Sequence, residues 1–93
     1  ERIKHARRVR DGREPGLIFI EGIRLAEEAV RSGLIIDTCF AVQREEPRQS
    51  ELLSQLASQK VSVQLTTPEV LSALGDTVQS QGIILLAQRP MLL

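Results

Sequence analysis

Two residues of this sequence could act as a base or a nucleophile near neutral pH: the sole histidine, His5, and the sole cysteine, Cys39. Cys39 lies in the apolar run Thr38-Cys39-Phe40-Ala41-Val42, where a thiol behaves as a small buried hydrophobe. One thiol cannot close an internal disulfide, and with one distant histidine it makes no zinc site. His5 stands among arginines, a setting for a solvated or phosphate-adjacent imidazole rather than a general base. No serine has a histidine and a carboxylate around it in a readable motif. There is no glycine-rich phosphate loop, no dinucleotide fingerprint and no paired-aspartate cluster. The residues therefore offer no catalytic centre, no metal site and no cofactor site within this chain. What remains is recognition.

The recognition chemistry is concentrated at one end. The net charge is zero, but residues 1–14 hold Arg2, Lys4, Arg7, Arg8, Arg10 and Arg13 against Glu1, Asp11 and Glu14, a net +3, and the remainder carries −3. A basic head on a mildly acidic body suits a polyanionic partner. At about 100° per residue, Lys4, Arg7 and Arg8 fall on one side of a helix and Ile3, Ala6 and Val9 on the other. The apolar side can dock on a sheet while the basic side faces phosphates. Lys4, Arg7, Arg8, Arg10 and Arg13 are the candidate phosphate contacts. The only aromatics, Phe19 and Phe40, sit inside strand-like runs, so no exposed stacking platform is expected. An RNA bound here would be read by phosphate and shape more than by stacked bases.

These residues need a scaffold, and the apolar pattern supplies one. Four short apolar segments, Leu17–Ile20, Thr38–Val42, Val61–Leu65 and Ile83–Ala87, recur at intervals of 21 to 23 residues. That spacing suits strands joined by helices rather than by hairpins. The first and last are unbroken apolar runs, as for strands covered on both faces, whereas Val61–Leu65 alternates and suits an edge. Helices are expected over residues 2–10, from Gly22 to Ser32 with Gly33 as the stop, from an N-cap at Ser50, and from the capping sequence Thr67-Pro68-Glu69 to Gly75. Arg24/Glu28 and Glu27/Arg31 are expected as four-apart ion pairs. Glu45-Glu46-Pro47-Arg48 and residues 76–81 read as polar loops. The order α-β-α-β-α-β-α-β implies an α/β fold, a three-layer α/β/α sandwich with a mostly parallel four-stranded sheet.

In open α/β sheets ligands gather at the carboxyl ends of strands. The first strand ends there in Glu21-Gly22-Ile23-Arg24. Unpaired N–H groups at the following helix start could receive a phosphate, Gly22 would allow close approach, and Arg24 could add a forked contact. Glu21 is expected to orient Arg24 or Arg13, or to accept from a ribose hydroxyl. Gly22 could instead only ease a tight turn, with Arg24 paired to Glu28.

At 93 residues and 42% hydrophobic content the chain has the size and composition of one globular domain. No apolar run approaches the ~20 residues of a membrane span, and no N-terminal signal segment is visible. A reducing, cytoplasmic location is expected.

Arg13-Glu14-Pro15-Gly16-Leu17-Ile18-Phe19-Ile20-Glu21-Gly22-Ile23-Arg24-Leu25-Ala26-Glu27-Glu28-Ala29 resembles the opening of the substrate-binding domain of SpoU-type (TrmH family) RNA 2'-O-ribose methyltransferases. Gln81-Gly82-Ile83 followed by an apolar strand matches its end, and Ser80 departs from the proline common there. The resemblance covers residues 2–90. It implies a fold like that of kink-turn-binding ribosomal proteins and a role in capturing structured RNA, ribosomal or transfer, for methylation. It also implies a separate catalytic domain that binds S-adenosylmethionine and mediates homodimerisation. On this reading residues 1–89 form the RNA-binding domain and residues 90–93 begin a linker. The alternatives are a free-standing kink-turn-type RNA binder, against which Glu21-Gly22-Ile23-Arg24 counts, and a protein-interaction domain of similar topology.

Overall fold

The four apolar segments pair into one sheet in the order β1-β4-β2-β3. The structure is a computed structural model and describes residues 2–43, 46–75 and 82–90. Its elements are α1 (Arg2–Arg10), β1 (Leu17–Glu21), α2 (Ile23–Arg31), β2 (Ile36–Val42), α3 (Pro47–Ser58), β3 (Ser62–Thr66), α4 (Pro68–Leu74) and β4 (Ile83–Gln88). The expected alternation of helices and strands is thus met.

Side-chain alternation sends each strand's residues to two cores. Ile20, Cys39, Ala41, Ile83, Leu85 and Ala87 pack with Ala26 and Ala29 of α2 and Leu52 and Leu56 of α3. Phe40, Val42, Ile84 and Leu86 pack on the opposite side with Ala6 and Val9 of α1 and Leu71 and Leu74 of α4. Two helical layers therefore enclose the sheet, as the three-layer expectation required. Ile36 joins Cys39 in the α2/α3 core, although they are an odd three positions apart, because a bulge between Ile36 and Thr38 shifts the register.

The expectation of a mostly parallel sheet is corrected. Only β2 and β3 are parallel; β4 runs antiparallel to both β1 and β2. The cause is α4. It starts at Thr67, just past the end of β3, and stops at Gly75 beside the carboxylate of Glu21, the last residue of β1. Seven residues give a helix of about 10.5 Å. It crosses the sheet along the carboxyl ends of the strands instead of returning to their starts. The chain thus enters β4 at that same end, where the Val42 N–H bonds to the Gly82 carbonyl.

Three helices close alike. After α1, α2 and α3, the second residue past the helix is Gly12 (φ 78°), Gly33 (φ 77°) or Lys60 (φ 62°). In each case the N–H of that residue and of the next bond back to the last turn, for example Gly33 to the Val30 carbonyl and Leu34 to the Ala29 carbonyl. The start of α3 differs from the expected Ser50 cap: the cap is Glu46, whose carboxylate accepts from the Arg48 N–H, with Pro47 opening the first turn.

Candidate functional site

α1 is amphipathic in the expected sense. Ala6 and Val9 are buried and Ile3 half-buried, while Lys4, Arg7 and Arg8 are exposed. The individual cations then differ. Arg10 is drawn inward: its Nη1 donates to the carbonyls of Ala73 and Leu74 at 3.3 and 3.0 Å, and its Nε bonds to Asp11 at 3.0 Å. A guanidinium on the last carbonyls of α4 meets the negative end of that helix, which makes Arg10 a packing residue as much as a surface charge. The same guanidinium holds the Asp11 carboxyl below its usual range, chiefly by hydrogen bonding. Arg8 pairs with Glu14 at 2.9 Å. Lys4, Arg7 and Arg13 are exposed and make no ion pair or side-chain hydrogen bond among the described residues.

The second candidate group divides. Gly22 sits at φ 103°, ψ 151°, a conformation essentially restricted to glycine. It is buried, and its N–H is taken by the Ile83 carbonyl at 3.0 Å. Gly22 is therefore a turn residue that fixes where α2 begins, and its own amide is not on offer to a ligand. The next three amides, of Ile23, Arg24 and Leu25, lack an intrahelical acceptor by helix geometry, and α2 has no side-chain cap. Arg24 is exposed in that first turn. Neither of the expected four-apart pairs forms: Glu28 bonds to Arg31 at 2.9 Å, and Glu27 is taken by Arg48 of α3, whose Nε lies 2.8 Å from its Oε2. Arg24 is left without an ion pair among the described residues. Glu21 is turned the other way, with its carboxylate against Gly75 in the α1/α4 layer. It does not orient Arg24.

The structure thus brings Lys4 and Arg7 together and places Arg24 in the layer across the sheet. The two layers carry different charge. α1 and α4 hold Arg2, Lys4, Arg7, Arg8 and Arg10 against Glu69; α2 and α3 with its cap hold Arg24, Arg31 and Arg48 against Glu27, Glu28, Glu46 and Glu51.

Three residues were not foreseen. Glu69 and Val70 of α4 line a groove with Lys4 and Arg7, across more than sixty residues of sequence that carry no signal of the contact. Gln49 is buried at the start of α3 and donates to the Val42 carbonyl at 2.7 Å, tying α3 to the carboxyl end of β2. Cys39 is buried as expected, and burial pushes its thiol up to about 12, so it stays a protonated core group. Among the described residues no group of His, Cys, Asp and Glu could hold a metal ion, and no helix is long and apolar enough to cross a membrane.

No curated protein sequence matches the chain. Solved structures do, at the level of the fold. An RNA 2'-O ribose methyltransferase superposes with a TM-score of 0.79 at 22% identity, over 96% of this chain and 34% of its own. The AdoMet-bound rRNA methyltransferase from Sinorhizobium meliloti gives 0.77 at 16% identity, over 95% and 33%. The SpoU methyltransferase AviRb from Streptomyces viridochromogenes, in complex with AdoMet, gives 0.66 at 19% identity, over 97% and 36%. The chain spans about a third of the length of each of these enzymes. A sequence profile of the domain described as RNA 2'-O ribose methyltransferase substrate binding matches residues 19–92, from the middle of β1 to beyond β4. With most of its length matched and the fold shared, the chain belongs to the substrate-binding domain family of the SpoU RNA 2'-O-ribose methyltransferases.

Proposed function

We propose that this domain holds the RNA substrate, ribosomal RNA in the first instance, for an S-adenosylmethionine-dependent 2'-O-ribose methyltransferase of the cytoplasm. The carrying observation, within a member of this family, is that Lys4 and Arg7 of α1 stand outward with no ion pair or side-chain hydrogen bond among the described residues, while Arg31 and Arg48 of α2 and α3 are matched by Glu28 and Glu27. Lys4, Arg7, Arg8 and Arg13 are the phosphate contacts of the α1 side. Arg24, with the open amides at the start of α2, is a separate contact, and Gly22 and Glu21 serve it only by shaping the turn. Arg10 contributes by holding α1 to α4. Methyl transfer and homodimerisation are assigned to a catalytic domain outside this chain, as is AdoMet, which two of the similar enzymes bind. Arg89 is still tied to the fold, its N–H bonding to the Gly16 carbonyl and its Nε to that of Pro15, which supports a domain reaching at least to residue 89.

The test is a salt titration of binding to a structured ribosomal RNA fragment. Replacing Lys4, Arg7 and Arg8 together by alanine should weaken binding to unrelated RNAs alike. It should also flatten the slope of log affinity against log salt by roughly 2 to 3, at about 0.7–0.9 per phosphate contact. Arg24→Ala should lower affinity with the melting temperature nearly unchanged, and Arg24→Lys should restore only part, because lysine lacks the fork. Unchanged affinity and slope in the triple variant would show the cations to be an ordinary solvated face.

A further inference from the structure

Lys4 and Arg7 do not stand on an open surface. With Ile3 they line one side of a groove of about 460 Å³ whose other side is Glu69, Val70 and Ala73 of α4. That volume is within the range of small-ligand sites. The groove carries charges of both signs, yet Lys4, Arg7 and Glu69 make no ion pair or side-chain hydrogen bond with one another or with any other described residue. The rest of the lining is apolar.

A groove that only tracked phosphates would be weakened by Glu69, which repels them. One that only bound a cation would be weakened by Lys4 and Arg7. Both signs, left unpaired beside apolar side chains, suit a ligand with three parts: an anion, a flat apolar body and an edge of N–H donors. A guanosine nucleotide has all three. Its N1–H and N2–H donors lie side by side and match the two oxygens of a carboxylate, which can only accept. Adenine and cytosine present one amino group beside a ring nitrogen that also accepts, and uracil presents one N–H between two carbonyls, so each would turn a lone pair toward Glu69.

We infer that the α1/α4 groove is a subsite for one unpaired guanosine of the bound RNA. Lys4 and Arg7 hold its phosphate, Glu69 accepts from its Watson–Crick edge, and Ile3, Val70 and Ala73 flank the base. This rests on the RNA-binding reading and adds base selection to contacts otherwise blind to sequence.

The experiment uses this 93-residue chain and a fluorescently labelled single-stranded oligouridine with one central guanosine. Matched oligomers carry inosine, which lacks the N2 amino group, or adenosine in its place. Anisotropy should show guanosine preferred over both by roughly tenfold, the order expected of a two-bond contact to one base. Glu69→Gln should erase the preference, while affinity for plain oligouridine is kept or slightly raised by loss of a charge that repels phosphate. Glu69 is exposed, so the variant should melt like the parent. Equal binding of the three oligomers, alongside normal binding of structured RNA, overturns the guanosine subsite and leaves the RNA reading standing. If neither structured RNA nor any oligomer binds, both fall. Occupation of the groove by a peptide that RNA cannot displace would also overturn the proposal, in favour of a protein partner.

Discussion

The two helical layers use the same residue types to different ends. In the α2/α3 layer, Arg31 is bonded to Glu28 and Arg48 to Glu27, so the arginines are largely consumed in holding helix surfaces together. In the α1/α4 layer Lys4, Arg7 and Glu69 share a groove and stay apart, while Arg10 bonds to the end of α4, Arg8 to Glu14 and Arg2 to Ser62. The cores below differ too. The α2/α3 core includes Ala26, Ala29, Ala41 and Ala87, which allow close approach of helices to the sheet; the α1/α4 core is filled by Phe40, Leu71, Leu74, Ile84 and Leu86. The α1/α4 layer is held largely by these bulkier side chains, which leaves its groove cations Lys4 and Arg7 available to a ligand.

The largest effect should come from removing that bulk. Phe40 is 1% exposed and meets α1 and α4 from the centre of the sheet. Phe40→Ala should cost about 3–5 kcal/mol in urea unfolding, the range for emptying a packed aromatic site. A loss below about 1 kcal/mol would mean that the α1/α4 layer can close over the gap and is not held as described.

How far this comparison was legible in the sequence follows from range. Local patterns were readable: the apolar stripe Ile3-Ala6-Val9, the stop at Gly33 and the cap at Thr67, whose Oγ1 accepts from the Val70 N–H at 3.2 Å. The position of β3 at an edge was readable from its alternation. The position of β1 was not, because an unbroken apolar run reports that both faces are covered and not that both edges are paired. The reversal of β4 was invisible as well. A spacing of 22 residues fits a helix that returns along the strands and one that crosses their ends, and only the seat of Gly75 against Glu21 distinguishes them. At the site, the cations of α1 were identifiable by type, but which of them were free depended on partners far along the chain. Arg10 finds Leu74, and Arg48 takes the Glu27 that had been expected for Arg31.

A smaller effect, in the opposite layer, is a gain. Lys60 ends α3 at φ 62°, where Gly12 and Gly33 serve α1 and α2. A side chain in the left-handed region is strained, and glycine relieves it. Lys60→Gly should therefore stabilise the domain by about 0.5–1 kcal/mol, less the greater freedom glycine gives the unfolded chain. Thermal melts of the two proteins measure this. A lower melting temperature would show that the lysine side chain supplies a contact worth more than the strain.

The smallest effect tests whether the α2/α3 charges are truly spent on structure. The hydrogen bond from Arg48, with its positive charge, holds the Glu27 carboxyl below its usual value of 4.5. A carboxylate with a depressed folded pKa contributes stability that is fully present above the unfolded value and is lost as pH falls through the folded one. Glu27→Gln should thus lower the melting temperature slightly at pH 7, and the gap to the parent should close as pH drops below about 4.5. The pair is on the surface, so added salt should narrow the gap at pH 7 as well. A gap that is constant from pH 7 to pH 3 would assign it to packing of the longer side chain. RNA affinity, by contrast, should be almost untouched, since neither partner faces the α1 groove. A large loss of RNA binding in Glu27→Gln would move the interface to the α2/α3 layer and reverse the division of labour between the two faces.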